Sequence, residues 1–266
     1  MKHMAHTAHK ARKRFGQNFL VDPQVIAEII ACIYPQPDDR MVEIGPGLGA
    51  LTTPLLQTLK HLTVIELDRD IVERLSRDYP QNKLTIHSVD ALKFDFSSLG
   101  NDLRVVGNLP YNISTPLLFH LSRFTESILD MHFMLQKEVV ERMVARSSTA
   151  DYGRLSVMLQ YRFEMEQILT VSAASFRPAP KVESAIVCMR PIRHRALALS
   201  DETAFSRIVA AAFSQRRKTL RNTLSSHLAA EDFTHLAIDP SLRAENLTVE
   251  EYIKIANYYA AKQPDQ

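Results

Sequence analysis

Apolar residues in the first half of the chain alternate between short continuous runs and stretches with the spacing of one helix face. The runs, which we interpret as short buried strands, are Met41–Ile44, Leu62–Glu66, Leu84–Val89 and Arg104–Gly107. Helical stretches near residues 50–59, 70–79 and 115–123 separate them. Alternation of this kind predicts the α/β class, with a parallel sheet and helices on both of its faces.

A helix is predicted to precede the sheet, because Asp22-Pro23 is typical of an N-cap followed by proline at the first helical position. Its apolar stripe would consist of Val25, Ile26, Ile29, Ile30 and Ile33. Later strands that would extend the sheet are Met131–Leu135, Leu155–Phe163 with Ile168–Val171, and Ser184–Met189. The last two have no clear helix between them, which predicts an antiparallel edge.

The stretch Pro191–Ser200, rich in basic residues and alanine, is interpreted as a domain boundary. The pattern after it is helical, and the predicted helices are Phe205–Ala212, Arg217–Leu228 and Val249–Ala260. We therefore predict a basic N-terminal arm (1–22), an α/β domain (23–195) and a small all-helical C-terminal domain (196–266).

The composition is that of an ordinary globular protein, because 45% of its 266 residues are hydrophobic and 23% are charged. No apolar run reaches the roughly eighteen residues that a membrane span needs, and the basic N-terminus has no apolar signal-peptide core. Cys32 and Cys188 form neither a disulfide framework nor a metal-ligand spacing. We expect a cytoplasmic protein with reduced thiols, no membrane segment and no metal.

The net charge is only +2, but the basic residues are clustered. Five lie within the first fourteen residues without an acid among them, and Arg216-Arg217-Lys218 with Arg221 form a second group. Local basic clusters on a nearly neutral chain are typical of a polyanion-binding surface. A solvated tail and an ordinary charged helix face explain each cluster equally well when it is taken alone.

A glycine turn follows the first predicted strand of the sheet, with Gly45, Gly47 and Gly49 opening the next helix. Glycine lets the backbone turn tightly and approach a ligand without a Cβ in the way. Glu66 stands at the end of the next strand, where a carboxylate typically accepts from ribose hydroxyls. Together these residues indicate a cofactor that contains adenosine.

The spacing alone does not choose the cofactor, since Gly45, Gly47 and Ala50 also satisfy the dinucleotide fingerprint of NAD enzymes. Pro46 stiffens the turn, and Gly49 gives the form more common where a nucleoside without pyrophosphate binds. Asp90 follows a later strand and would accept from the adenine amine. Taken alone, Asp90 would be interpreted as a helix N-cap.

The tetrapeptide Asn108-Leu109-Pro110-Tyr111 directly follows another predicted strand, at the sheet edge where ligands bind in open α/β folds. The Asn108 side-chain oxygen and the Pro110 carbonyl would accept the N–H groups of an exocyclic amine, and Tyr111 would stack on its flat ring. This positioning would aim the amine at a methyl group on a sulfonium cofactor. A simple proline turn is the structural alternative.

A nucleic-acid base must leave its helix to reach such a pocket, and a second ring from the opposite side would help to hold it. Phe176 is the candidate, in a loop stiffened by Pro178 and Pro180, and Arg177 and Lys181 there suit phosphates. A buried phenylalanine near a strand end is an equally good interpretation.

These motifs identify a family. The chain closely resembles the small-subunit ribosomal RNA adenine dimethyltransferases, the KsgA/RsmA family, over nearly its full length. The resemblance rests on Arg14-Phe15-Gly16-Gln17-Asn18-Phe19-Leu20, Glu43-Ile44-Gly45-Pro46-Gly47, Asn108-Leu109-Pro110-Tyr111-Asn112-Ile113-Ser114, Phe176-Arg177-Pro178 through Lys181-Val182, and Phe213-Ser214-Gln215-Arg216-Arg217-Lys218. No departure from the family pattern occurs at the site positions.

The resemblance implies a Rossmann-like class I methyltransferase domain that converts two adjacent adenosines near the 3′ end of 16S ribosomal RNA to dimethyladenosine. It implies S-adenosyl-L-methionine as cofactor, the small ribosomal subunit as partner, and a role in subunit biogenesis; we expect a monomer. The implied cofactor-binding residues are Asn18, Leu20, Gly45, Gly47, Glu66, Asp90 and Asn108. The implied catalytic residues are Asn108, Leu109, Pro110, Tyr111 and Phe176. The implied RNA-binding residues are Arg12, Lys13, Arg14, Arg177, Lys181, Arg216, Arg217, Lys218 and Arg221.

Three other functions are considered. A 23S ribosomal RNA adenine methyltransferase of the antibiotic-resistance type shares the fold, although its loop more often has Ile where Leu109 stands. A non-catalytic subunit-assembly factor would keep the cofactor fold as a scaffold, although the intact glycines, Glu66 and Asn108 argue against that alone. An NAD-dependent enzyme ranks last, because nothing in the chain offers a hydride-transfer site.

Overall fold

The computed structural model describes residues 18–263. The strands are β1 (Phe19–Leu20), β2 (Arg40–Ile44), β3 (Leu62–Ile65), β4 (Leu84–His87), β5 (Leu103–Asn108), β6 (Ile128–Gln136), β7 (Phe163–Val171), β8 (Phe176–Arg177) and β9 (Ser184–Pro191). The helices are α1 (Pro23–Ile33), α2 (Thr52–Thr58), α3 (Arg69–Asp78), α4 (Ser114–Leu121), α5 (Lys137–Val144), α6 (Arg154–Gln160), α7 (Glu202–Ala212), α8 (Leu220–Thr223), α9 (Ala230–His235) and α10 (Val249–Lys262).

Seven strands form a single mixed sheet in the order β4-β3-β2-β5-β6-β9-β7. The neighbours from β4 through β6 run parallel, so the predicted α/β class is confirmed. The chain order reverses beside β2, which pairs with both β3 and β5, and ligands bind at such switch points. β7 and β9 lie next to each other at the edge where their closeness in sequence predicts them.

The helix predicted before the sheet begins as its sequence indicates. The Asp22 side chain accepts hydrogen bonds from the Gln24 and Val25 N–H groups, and proline stands at the start of α1. The helix ends at Ile33 and is followed by the C-cap residue Tyr34, whose backbone is left-handed with φ of 50°. Just before α1, β1 pairs antiparallel with β8, a contact that the interpretation of residues 1–22 as a basic arm did not include.

The described chain divides into two compact units, each with its own apolar core. Among the described residues, the first unit contains 18–137 together with 167–188, and the second contains 138–166 with 189–263. The core of the second unit packs α7 and α10 with Tyr152 and Val157, which precede Pro191–Ser200. Helices α5 and α6 therefore belong with the C-terminal helices in this division, whereas composition placed the boundary between 195 and 196.

The prediction of a strand over Leu155–Phe163 is wrong, because residues 154–160 form α6 and strand β7 starts only at Phe163. A short apolar run fits a buried helix as well as a buried strand, and periodicity does not separate them. Here Ser156 stabilises the first turn of the helix, since its hydroxyl accepts the Gly153 N–H.

The helix predicted over Arg217–Leu228 is also wrong, since only α8 is helical within it. The Leu220 N–H donates to the Leu242 carbonyl at 2.8 Å, and the Arg221 N–H donates to the Pro240 carbonyl at 3.0 Å. These donors are therefore not available to carbonyls four residues earlier, and residues 214–218 form turns.

Arg104 ties the amino-terminal ends of the sheet strands together. Its guanidinium lies between Asp39 and Asp130, with Nε 3.1 Å from the Asp130 carboxylate, and Nη2 donates to the Ile33 carbonyl at 2.7 Å. All three charged side chains are largely buried. A buried charge that keeps both partners is tolerated, whereas removal of one member leaves uncompensated charges behind.

We expect Arg104→Ala to lower the free energy of unfolding by about 3–5 kcal/mol, because two buried carboxylates lose their counter-ion. Lys60→Ala is the matched control, since Lys60 pairs with Asp38 where both side chains are exposed, and its loss should cost less than about 1 kcal/mol. Urea unfolding of both variants measures the difference. Equal effects would show that burial does not distinguish the two pairs.

Candidate active site

The carboxyl ends of four parallel strands meet at one edge of the sheet. Ile44 is level with Ile65, and Ile65 with His87, while Glu43 is level with Val106. The segments that follow these strands surround a cavity of about 310 Å³. The cavity is lined by the predicted site residues Asn18, Leu20, Gly45, Gly47, Glu66, Asp90, Asn108, Leu109, Pro110 and Tyr111. The sequence motifs are therefore brought together in space.

The glycine turn after β2 requires glycine at three positions. Gly45, Gly47 and Gly49 have φ of +66°, +53° and +88°, in the left-handed region that other residues rarely adopt. A Cβ on Gly47 would also lie 3.2 Å from the ring of Phe19. The turn therefore exposes its backbone at the cavity wall.

Side chains fix both ends of this turn. Glu43 lies just before the turn, and its buried carboxylate accepts the hydroxyl of Thr52, the first residue of α2, at 2.6 Å. The Glu66 carboxylate accepts the N–H groups of Gly47 and Asp68, the latter at 2.8 Å. Glu66 thus connects the end of β3 to the glycine turn beside it.

Burial raises the pKa of two acids that line this cavity. Burial raises the pKa of Glu43 to about 7, while the Thr52 hydrogen bond opposes this shift and the Glu66 charge adds to it. Burial likewise raises the pKa of Glu66, against the N–H groups of Asp68 and Leu67. Because the hydrogen-bond donors to both carboxylates are neutral, this wall of the cavity suits a ligand that carries positive charge.

Asp90 follows β4 and lines the cavity. Its carboxylate accepts the Leu92 N–H at 3.0 Å, but residues 91–93 form a turn and not a helix, so the N-cap considered for Asp90 is replaced by a local turn contact. A carboxylate has further lone pairs, and this bond therefore leaves Asp90 able to accept from a ligand as well.

Asn108 ends β5, and its amide is fixed by the N-terminal segment. The Nδ2 group donates to the Asn18 backbone carbonyl at 3.0 Å. The amide is planar, so its Oδ1 end is turned away from that carbonyl. A primary amide held in this way presents an oriented acceptor rather than a base, because it does not titrate.

The residues after Asn108 form a turn that leads into α4, as the structural alternative for the motif predicts. The Pro110 carbonyl accepts the Ile113 N–H at 3.1 Å, and the Tyr111 carbonyl accepts the Ser114 hydroxyl at 3.0 Å. A carbonyl oxygen has two lone pairs, so Pro110 retains capacity for a second donor. The turn and the predicted acceptor role are compatible.

Tyr111 is half-buried at the cavity, and its hydroxyl lies 2.8 Å from the Ser184 Oγ atom. Burial raises the pKa of Tyr111, while the hydrogen bond with Ser184 opposes this shift, so the phenol stays protonated near neutral pH. Its ring is therefore an uncharged, fixed aromatic surface.

Phe176 is not brought into the cavity. Its side chain is 0% exposed, belongs to the apolar core of the first unit, and stands across from Leu20 in the β1–β8 pair. The position matches the buried phenylalanine considered for the sequence, and the stacking role stays a prediction. Beside it, the exposed Arg177 donates to the carbonyls of Ala174 and Phe176, and Lys181 is exposed.

The second basic group lies on the surface of the C-terminal unit. Arg216, Arg217 and Lys218 are exposed in a turn, and Arg221 is exposed on α8. The Arg216 guanidinium donates to the Ala150 carbonyl at 3.1 Å. Arg12, Lys13 and Arg14 lie outside the described residues.

Several cavity residues were missed by the sequence analysis. The apolar wall also contains Phe19, Leu67, Val89, Ala91 and Leu92, and Leu67 is 51% exposed. The sequence contained a signal for four of them. Leu67 follows Glu66, and Val89, Ala91 and Leu92 lie within two positions of Asp90; both acids were predicted to bind adenosine. Apolar residues beside a few polar groups are typical of ligand-binding pockets.

Within residues 18–263, no group of three or more His, Cys, Asp or Glu side chains is placed to hold a metal ion. Over the same residues, no helix combines the length and the apolar character that crossing a membrane requires.

The parallel sheet, the glycine turn after β2 and the acids after β3 and β4 define a class I S-adenosylmethionine-dependent methyltransferase fold. The family model for ribosomal RNA adenine dimethylase matches residues 8–261. The chain belongs to that family.

Curated relatives are similar over nearly their whole length. The ribosomal RNA small subunit methyltransferase A of Nitrosospira multiformis is 62% identical over 251 residues, covering 94% of this chain and 97% of that protein. The protein of the same name from Nitrosomonas europaea is 67% identical over 247 residues, covering 93% and 96%.

Two solved structures are similar in fold to this chain. A dimethyladenosine transferase from Plasmodium falciparum is 25% identical with a TM-score of 0.78, covering 92% of this chain and 98% of that chain. The 23S rRNA methyltransferase ErmE is 24% identical with a TM-score of 0.69, covering 91% and 100%, and this likeness shows the shared fold.

We expect Glu43→Gln to flatten the pH dependence of stability. The pKa of Glu43 rises from 4.5 to about 7 on folding, so the folded state binds this proton more tightly than the unfolded state. Its contribution is therefore fully present below pH 4.5 and is lost as the pH rises through 7. Between pH 4.5 and 8 the unmodified protein should lose about 3 kcal/mol relative to the neutral variant.

Urea unfolding at several pH values measures this difference. Glu73→Gln, which removes an exposed carboxylate on α3, controls for the general effect of one charge. Parallel pH profiles for Glu43→Gln and the unmodified protein would contradict the assignment.

Proposed function

We propose that this enzyme dimethylates the N6 amines of two adjacent adenosines near the 3′ end of 16S ribosomal RNA, using S-adenosyl-L-methionine. The observation that carries the proposal is that Asn108, Pro110 and Tyr111 line the same cavity as the glycine turn and Glu66. Family membership and the small-subunit relatives support the choice of RNA. The reaction would take place in the cytoplasm, by a monomer, during small-subunit biogenesis.

The residues of the cavity fit the cofactor by their chemistry. Gly45 and Gly47 expose backbone at the wall, and the carboxylates of Glu66 and Asp90 suit ribose hydroxyls and the adenine amine. Leu20 and the Asn18 backbone complete the side next to Asn108. When bound, the cofactor supplies an electrophilic methyl group on a positively charged sulfur, and the buried acids of this wall favour that charge.

The target amine would be oriented by two acceptors from the loop after β5. The Asn108 Oδ1 and the Pro110 carbonyl accept its N–H groups, and Tyr111 stacks on the adenine. The amine nitrogen would then face the methyl group that the bound cofactor supplies, and the proton that the amine loses on methylation would pass to solvent. Such orientation accounts for up to roughly 7–11 kcal/mol of a barrier in favourable cases.

The second transfer places a different demand on the site. The amine then carries a methyl group and a single N–H, so Asn108 and Pro110 have one hydrogen between them. Binding of the monomethylated base therefore depends more on stacking and on shape than the first transfer does.

The exposed basic residues would bind the phosphates of the RNA. On the first unit these are Arg177 and Lys181, and on the second unit they are Arg216, Arg217, Lys218 and Arg221. Arg12, Lys13 and Arg14 would add to them from the N-terminal arm. Phosphate contacts of this kind position the enzyme and make binding sensitive to salt.

The proposal is tested by transfer of radiolabelled methyl groups to small subunits from cells that lack the modification. We expect about four methyl groups for each small subunit, because two amines accept two each, and almost none on large subunits. Naked RNA is the second control. Labelling of the large subunit would instead identify a 23S enzyme, and tight cofactor binding without transfer would support a non-catalytic assembly factor.

Asn108→Ala should abolish both transfers, because the amine loses its main oriented acceptor. Tyr111→Ala should slow both transfers and raise the KM for the subunit, because the base loses its stacking surface. Asn101→Ala removes an exposed amide before β5 and should behave as the unmodified enzyme. Single-turnover rates measure all three, and near-normal turnover by Asn108→Ala would exclude the proposed role.

A further inference from the structure

The Tyr111 side chain is hydrogen-bonded to Ser184, a residue outside the predicted catalytic and cofactor-binding sets. Ser184 is the first residue of β9, its side chain is 0% exposed, and its Oγ lies 2.8 Å from the Tyr111 hydroxyl. A buried hydroxyl is costly unless it is hydrogen-bonded. This bond therefore fixes both side chains.

The bond links the loop to a part of the sheet that is distant in sequence. Tyr111 follows β5, and Ser184 begins β9, which lies two positions away in the strand order with β6 between them. The backbone of Tyr111 is held within its own loop by the Ser114 hydroxyl. The ring is thus fixed at its far end by the sheet and at its near end by the loop.

A stacking surface works only if its plane is fixed. Tyrosine has two side-chain torsions, and a ring fixed at one end alone would sample several angles. Phe176, the other ring considered for stacking, lies in the core with 0% exposure. The orientation of the Tyr111 ring therefore decides how the target base is held beside Asn108.

We propose that Ser184 is a positioning residue that holds the Tyr111 ring at its stacking angle and thereby supports the second methyl transfer more than the first. The proposal rests on the proposed function. In the first transfer, two N–H groups of the amine bind Asn108 and Pro110, which orients the base even if the ring is loose. In the second transfer only one N–H remains, so the base relies on the fixed ring.

Two variants remove this hydrogen bond from its two sides. Ser184→Ala deletes the buried hydroxyl, and Tyr111→Phe deletes the phenol hydroxyl while keeping the ring. We expect each to slow the second transfer roughly tenfold more than the first, because small misplacements of reacting groups cost large factors in rate. Since both remove one interaction, the double variant should be no slower than either single variant.

The measurement is the ratio of N6-monomethyladenosine to N6,N6-dimethyladenosine in digested small-subunit RNA, followed by mass spectrometry during the reaction of the full-length enzyme. Ser122→Ala is the matched control, because it also removes a buried hydroxyl, one that bonds only the nearby Phe119 carbonyl among the contacts described for its Oγ. It should leave the ratio unchanged. Calorimetric binding of S-adenosyl-L-methionine should be within about twofold of the unmodified enzyme for every variant, as the hydrogen bond is not part of the cofactor wall.

Accumulation of the monomethyl product by both Ser184→Ala and Tyr111→Phe, with non-additive effects, would support the proposal. An unchanged ratio in Tyr111→Phe would overturn it, even if Ser184→Ala failed to fold. An equal change in Ser122→Ala would also overturn it, by showing a general loss of packing. If the unmodified enzyme makes no dimethyladenosine, the proposed function fails instead, and the two failures are thereby distinguished.

Discussion

The parallel pairing of β2 with β5 is the constraint on which the site depends. One strand runs into the glycine turn and the other into the Asn108 loop, so both loops begin side by side. Gly107 permits this approach, because a Cβ there would lie 2.5 Å from the Ile44 carbonyl oxygen. The wall that suits the cofactor and the wall that suits the target amine are thus formed by neighbouring strands, and the transferred group has little distance to cross.

Buried charged groups have different partners at the two ends of the parallel strands. At the amino-terminal end, Arg104 forms ion pairs with two aspartates, Asp39 and Asp130. At the carboxyl end, Glu43 and Glu66 are hydrogen-bonded to a hydroxyl and to backbone N–H groups, which leaves their charge uncompensated by these partners. The first arrangement stabilises the sheet, and the second leaves acceptors at the cavity wall that suit a positively charged group.

The features that depend on residues close in sequence were predicted correctly. Asp22-Pro23 specified the start of α1, and the glycine positions specified a turn with positive φ. Predictions failed where distant segments decide the outcome: carbonyls of residues 240 and 242 interrupt the helix expected over Arg217–Leu228. The Tyr111–Ser184 hydrogen bond could not be predicted from the sequence either, because it depends on which strands are neighbours in the sheet. The burial of Phe176 accompanies the pairing of β1 with β8. Each of these strands has only two residues, which is too short for a recognisable strand pattern in the sequence.

That pairing has a consequence for the order in which the enzyme becomes complete. β1 meets residues 176–177, and Asn18 bonds an amide ninety residues later, so the wall of the cavity combines contacts of very different sequence separation. Contacts between distant residues form late, because closing a long loop costs entropy before any contact repays it. On a translating ribosome, the start of the chain must wait for residue 177 to emerge before it can take its place. The side of the cavity that Asn18 and β1 form is therefore completed only after residue 177 has been synthesised.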